Sequence, residues 1–193
     1  MSLLIIGLLL FLGAHSMRIF AEGARASAIA RLGPLGYKAI YSVVSLLGLV
    51  LIAKGYAIAR ENPVVLWQVW APGRHAAALL SLLAFVLVVA AYVPRNRLRE
   101  RLRHPMVLGI KLWAFGHLLA NHTLADLILF GTILFWAILD FRAARERDRQ
   151  AGELAPRPTS GWGDALTVAI GLVAYGAFAF HFHASLIGVR PFG

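Results

Sequence analysis

The sequence contains no cysteine, and that one absence removes structural disulfides, thiolate metal ligands, redox thiols and palmitoyl thioesters together. Acidic residues are scarce as well, nine Asp and Glu against 19 Lys and Arg, and they fall mostly in the polar stretches. That argues against a carboxylate-bridged metal centre or an acidic proton relay across a membrane. The chain also has no phosphate-cradling glycine loop, no H-E-x-x-H pair and no nucleophile elbow. Tandem repeats and low-complexity tracts are absent. Redox or metal chemistry is left to the seven histidines.

What the chain has in abundance is apolar sequence. Of 193 residues 60% are hydrophobic, and the mean hydropathy is +0.72, where soluble domains hold roughly 45 to 50% apolar residues. The chain reads as an integral membrane protein, all α-helical, with residues 1–193 forming one transmembrane domain. Six segments approach the ~20 residues that cross about 30 Å of hydrocarbon: Leu3 to Phe20, Tyr37 to Ala59, Ala76 to Val93, Pro105 to Asn121, Leu124 to Leu139, and Ala165 to Phe182. Pro105 suits a first helical turn. Asn121-His122-Thr123 reads as a tight turn that folds the fourth and fifth segments into a hairpin. The alternative, one long broken helix, leaves five crossings. The first segment has neither a basic leader before Leu3 nor a small-x-small cleavage pattern before Arg18, so it reads as a retained helix. The charged, Pro- and Gly-containing stretch 142–163 reads as a mobile cytoplasmic loop between the fifth and sixth helices.

Charge gives an orientation. Three alternate loops carry Arg18, Arg25, Arg31 and Lys38, then Arg95, Arg97, Arg99, Arg101 and Arg103, then Arg142, Arg145, Arg147, Arg149 and Arg157, whereas Arg60, Arg74 and Arg190 mark the opposite side. By the positive-inside rule the first group is cytoplasmic and both termini are extracytoplasmic. The net charge of +10 is then explained by topology and anionic headgroups, not by nucleic acid, for which no groove-reading or strand-binding motif is present. Small and polar residues recur every three to four positions at Tyr41, Ser45, Gly48, Ile52 and Gly55, and again at Thr167, Gly171, Ala174 and Phe178. Such stripes predict close helix packing.

Ionisable residues within apolar segments are the functional candidates. His15, in GAHSMR, lies toward the cytoplasmic end of the first segment with Arg18 three residues on, on the same helix face. That pairing suits either an axial metal ligand beside an anion clamp or a packed histidine with a snorkelling arginine. His117, in WAFGHLLAN, reads as deep in the fourth segment, with Trp113 and Asn121 four residues to either side offering ring packing and a supporting hydrogen bond. It too is either a ligand or a packed ring. His104, in RHP, lies 13 residues earlier, about 220° around a helix, and reads as an interfacial residue. His75 and His122 read as surface residues. His181 and His183 stand about 200° apart, so at most one faces the bundle, His183 being the more conspicuous. Lys54 can snorkel. Lys111 and Asp126 lie deeper, each needing a partner or a watery cavity.

The stretches YSVVSLLGLVLIAKGY, HPMVLGIKLWAFGHLLANHTLADLILFG and HASLIGVRP, with GAHSMR ahead of them, closely resemble the NnrU family of bacterial membrane proteins, in order and spacing over nearly the whole chain. The resemblance implies a multi-pass protein of the bacterial inner membrane linked to denitrification and nitric oxide metabolism. The same domain occurs in the plastid zeta-carotene isomerase, which holds haem b through two histidines and isomerises a carotenoid double bond. By motif, those ligands correspond to His15 and His117, with Arg18, Trp113 and Asn121 around them; His104, His183 and Lys111 are further candidates. The isomerase's cysteine three residues before the second ligand is Ala114 here, so its proposed redox switch of ligand has no counterpart. His122 stands where relatives commonly have Gly. Straight helices would set His15 and His117 about 8 to 10 Å apart in depth at ~1.5 Å per residue.

The expectation is a haem b membrane protein acting in nitrogen-oxide metabolism, or in a redox or isomerisation reaction of a lipophilic substrate. The alternative is a non-enzymatic accessory to the denitrification enzymes, whose histidines merely pack. A small-molecule transporter is disfavoured by the lack of repeat symmetry.

Overall fold

The computed structural model describes residues 1–68, 70–152 and 157–192. Its elements are α1 (Ser2–Phe20), α2 (Glu22–Ala59), α3 (Gly73–Ala90), the short α4 (Arg97–Leu102), α5 (Pro105–Ala120), α6 (Leu124–Asp126), a π-helical turn (Leu127–Gly131), α7 (Thr132–Gln150), α8 (Gly161–Ala177), a second π-helical turn (Phe178–Phe182) and α9 (His183–Ile187). Five helical stretches, counting Leu124–Gln150 and Gly161–Ile187 as continuous, are long and apolar enough to cross a membrane; Pro105–Ala120 is apolar but shorter. No strand occurs among the described residues, only an isolated bridge between Val65 and Thr123.

The helices lie side by side in the order α2, α1, α7, α5, α3, α8, and glycines set three of the contacts. On α2, Gly48 faces Phe11 and Gly55 faces Leu3 and Leu4, while Gly7 of α1 faces Gly48 and Ile52. This makes α1 and α2 an antiparallel pair in backbone contact, as small residues permit in lipid. On α5, Gly116 meets Ala77 and Leu80, and Gly109 meets Ala84, Leu87 and Val88, so α5 runs antiparallel along most of α3. Gly171 of α8 meets Val86, and Phe85 packs against Tyr175 and Phe178. The small-residue stripes on the second and last segments are therefore the packing faces, with Gly48, Ile52, Gly55, Thr167 and Gly171 buried. Large apolar side chains such as Leu35, Val43 and Val173 point outward, as lipid contact requires.

Two stretches read as loops are helical. Residues 22–32, expected between the first two crossings, form the first part of α2, built from alanine-rich sequence with an Arg25–Glu22 pair. The break comes at Gly33, in the left-handed region at φ 72°, with Pro34 after it; a proline there costs the helix a hydrogen bond and a carbonyl clash. Likewise α7 continues to Gln150, so the stretch 142–163 begins as helix, with Arg149 and Gln150 bonded to Glu146 one turn back. The part of that expected loop at 153–156 lies outside the described residues. By contrast, the tight turn between α5 and α6 is as expected: Asn121 ends α5, and Thr123 with Asp126 forms a capping box.

A side chain at Gly55 would collide with the backbone of Leu3 and Leu4, whereas one at Gly13 meets nothing within 4 Å. Gly55→Val should lower stability by about 1 to 3 kcal/mol, the usual range for overpacking, and Gly13→Ala should leave it unchanged or slightly raised. Thermal unfolding in detergent measures both.

Candidate functional site

The seam between the α1/α2 pair and the α5/α7 pair holds the main buried cluster. Leu4, Leu8 and Leu12 of α1 and Ile52 of α2 meet Ala125, Leu129 and Phe130, with Phe11, Tyr56, Trp113, Ile133 and Trp136 around them. Levels along the seam can be read from pairwise contacts. Leu4 lies against Gly55, the next residue, Tyr56, bonds Asp126, and further along His15 meets Trp136, so α1 and α7 run parallel. Trp113 meets Phe130 and His104 meets Asp148, so α5 runs antiparallel to both.

His15 and His117 face this seam from opposite ends. The His15 ring lies 4.3 Å from Phe11, 5.1 Å from Tyr41 and 6.0 Å from Trp136, between ring centroids. The His117 ring lies 4.6 Å from Phe130 and 4.9 Å from Trp113. Each imidazole is held the same way: Nδ1 of His15 bonds the Phe11 carbonyl at 2.7 Å, and Nδ1 of His117 bonds the Trp113 carbonyl at 2.8 Å. A carbonyl only accepts, so Nδ1 carries the proton and donates. In the neutral ring Nε2 then holds the free lone pair, which is how metal-ligating histidines are usually fixed.

The contact partners Phe130 and Trp136 are six residues apart on one helix, about 9 Å of rise, matching the offset expected from straight helices. Two axial imidazoles at metal–nitrogen distances of about 2 Å need donor atoms roughly 4 Å apart. The rotamers reduce this offset. Both rings lean toward the N-terminus of their own helix, and because α1 and α5 are antiparallel, they lean into the interval between them.

One polar atom near His15 bears on what the seam could hold. Trp136 Nε1 is buried without a hydrogen-bond partner among the described residues. An indole N–H can only donate, so an acceptor is missing beside His15. Two imidazoles with Nδ1 committed to carbonyls, aromatic walls and an orphaned indole donor are groups that a haem with an acidic edge could use. Among the described residues no group of three or more His, Cys, Asp or Glu could hold a metal ion.

Of the remaining candidates, His183 comes within electrostatic reach of His117, and the others are dispersed. Arg18 is exposed in the last turn of α1. His117 is in the last turn of α5, nearer the helix end than the sequence suggests, because α5 stops at Ala120. Asn121 bonds the His117 carbonyl at 2.8 Å, supporting the backbone and not the ring. His104 donates from Nε2 to Asp148 at 2.9 Å, and Lys111 lies 4.4 Å over the Phe141 ring, both on the far side of α5's length from His117. His183 bonds the Val189 carbonyl at an exposed position. Asp126 is 4% exposed and accepts from Tyr56 Oη at 2.5 Å, Thr123 Oγ1 at 2.6 Å and Thr123 N at 2.9 Å. Trp136, Tyr41 and Phe130 were not legible as site residues. Their types are common in membrane helices, and only tertiary packing brings them to the histidines.

The geometry around Asp126 generates a stability prediction. Tyr56→Phe should cost about 1 to 3 kcal/mol, since it leaves a buried carboxylate oxygen short of its donor, and Asp126→Asn together with Tyr56→Phe should cost less than the sum of the two singles. Denaturation of the four proteins in one detergent measures the coupling.

Residues 3–191 match the model of the NnrU protein family. No curated protein and no solved structure matches the chain.

Proposed function

Since this chain belongs to the NnrU family, we propose that it is a six-pass protein of the bacterial inner membrane that holds haem b between His15 and His117, in support of denitrification and nitric oxide metabolism or of a redox or isomerisation reaction of a lipophilic molecule. The observation that carries the reading is the matched state of the two imidazoles, each with Nδ1 committed to a carbonyl and its ring packed against the aromatic side chains of one seam. Bound there, haem would supply one-electron chemistry, and a small molecule such as nitric oxide would reach the iron only in exchange for one of the two histidines. The chain's own part is to fix both ring tautomers, exclude water with Phe11, Trp113, Phe130 and Trp136, and offer donors for the haem's acidic edge from Trp136 and, at the membrane surface, from Arg18.

Six crossings are supported by α5. Its glycine contacts run beside α3 from Ala77 to Val88, so its 16 residues extend alongside most of a spanning helix. With the arginine-rich connections cytoplasmic, both termini lie outside, and partner denitrification enzymes would meet the protein at either surface. A second reading, an accessory protein without cofactor, is favoured by one observation: Phe130 and Trp136 already fill part of the seam beside the histidines.

Purified protein made with ample haem supply should show a Soret band. His15→Ala and His117→Ala should each abolish or shift it, while His75→Ala should not. Normal spectra in both variants would reject the pairing. Arg18→Leu should weaken haem retention more than Arg25→Leu, whose arginine is paired with Glu22; equal retention would leave Arg18 as a topology charge only. A reporter active only in the cytoplasm, fused after Gly193, should be silent.

A further inference from the structure

At the end of the bundle that carries the arginines, away from the histidine seam, the turn between α3 and α4 and the start of α8 form an open cleft of about 270 Å³ lined by Pro94, Arg95, Asn96, Arg99, Glu100, Arg157 and Pro158. Its walls are fixed by the backbone. Asn96, 2% exposed, donates from Nδ2 to the carbonyls of Ala90 and Val93 at 2.9 and 2.6 Å and accepts from Arg99 N at 2.7 Å. The α8 side is tied on by Ser160 N to the Arg95 carbonyl at 2.8 Å and by Asp164, which accepts from Arg97 N at 2.7 Å and pairs with its guanidinium. Gly163 packs so closely on Pro94 and Arg95 that a side chain there would collide with both. Arg95 itself is held at φ 57°, a conformation non-glycine residues seldom adopt and that persists only where the surroundings impose it.

This rigid pocket sets three guanidinium groups against one carboxylate. Arg97, outside it, has its charge taken up by Asp164. Glu100 contributes a carboxylate oxygen, Oε2, that is buried with no hydrogen-bond partner among the described residues. Arg103 Nη1, three residues on, is buried and unpartnered as well, and a ligand that suits the pocket carries an anion for the arginines and can add a donor for Glu100. The flanks point to where such a ligand comes from: Tyr92 and Trp162, 71% and 76% exposed, stand next to Pro94 and at the start of α8, and Tyr and Trp are the side chains that favour the headgroup level of a bilayer. Basic pockets between transmembrane helices on the cytoplasmic side bind anionic headgroups. We propose that this cleft is a phospholipid site, in which Arg95, Arg99 and Arg157 bind the phosphate and Glu100 accepts a hydrogen bond from a hydroxyl of the headgroup, the combination that phosphatidylglycerol presents.

The test is native mass spectrometry of the purified full chain with phosphatidylglycerol, phosphatidic acid and phosphatidylcholine in turn. Phosphatidylglycerol should be retained best. The double variant Arg95→Gln/Arg157→Gln should weaken its retention roughly thirtyfold, the loss expected of two interfacial arginines. Arg145→Gln/Arg147→Gln, which removes two basic residues outside the cleft, should leave retention unchanged and guards against a general charge effect. Glu100→Ala should erase the preference for phosphatidylglycerol over phosphatidic acid, which lacks the hydroxyl donor. Equal losses in the two double variants, phosphatidylcholine retained as well as phosphatidylglycerol, or inorganic phosphate at millimolar concentration displacing the lipid would each overturn the assignment, the last by making the pocket a free-anion site. Unfolding temperatures of the variants, expected to equal that of the parent, separate lost binding from lost fold.

Discussion

The buried carboxylate of Asp126 ties the two halves of the bundle together. A charge this deep is tolerated only when its lone pairs are filled, and here Tyr56 reaches from α2 to fill one oxygen while Thr123 fills the other. The bond therefore does two things. It closes the turn that makes α5 and α7 a hairpin, and it pins that hairpin to the α1/α2 pair at one level. With that level set, and α1 locked to α2 by the contacts of Gly7, Gly48 and Gly55, the position of every residue on the seam follows. His15 comes to rest at Trp136, and His117 at Phe130.

Lipid makes this economy necessary. Between helices in hydrocarbon there is no hydrophobic drive, so glycine contacts and a few polar links do what a buried apolar core does in water. The α1/α2 and α3/α5 pairs are glycine-mediated, while the seam between α1 and α7 is filled by leucines and aromatic rings. A seam of large rings with polar atoms left over, Trp136 Nε1 among them, is a place where packing alone does not account for the residues. The π-helical turn at Leu127–Gly131, which carries Phe130 into the seam, points the same way, since such turns often mark functional sites.

Much of this was legible in the sequence because the bilayer limits the choices. Apolar length gave the helices, the Asn121-His122-Thr123 turn gave the hairpin, and the spacing of Gly48, Ile52 and Gly55 gave the face of α2 that packs. Helix ends were less legible. Residues 22–32 and the start of 142–163 are charged yet helical, because alanine, arginine and glutamate favour helix even outside lipid, and the break waits for Gly33. Of the site, the histidines stood out as ionisable groups in apolar sequence. Their partners did not, since Trp136 and Phe130 look like any membrane aromatics until α1 and α5 are set against α7. The spacing places Asn121 beside His117 as a hydrogen-bonding neighbour, and the geometry specifies that it donates to the His117 carbonyl.

The central claim is that His15 and His117, with their Nε2 atoms free, share one iron. Electron paramagnetic resonance of the oxidised protein tests it most directly. Two imidazole ligands predict a low-spin ferric signal that turns high-spin when either histidine is replaced by alanine. A high-spin signal in the unaltered protein, or no iron signal from protein made with ample haem, would contradict it.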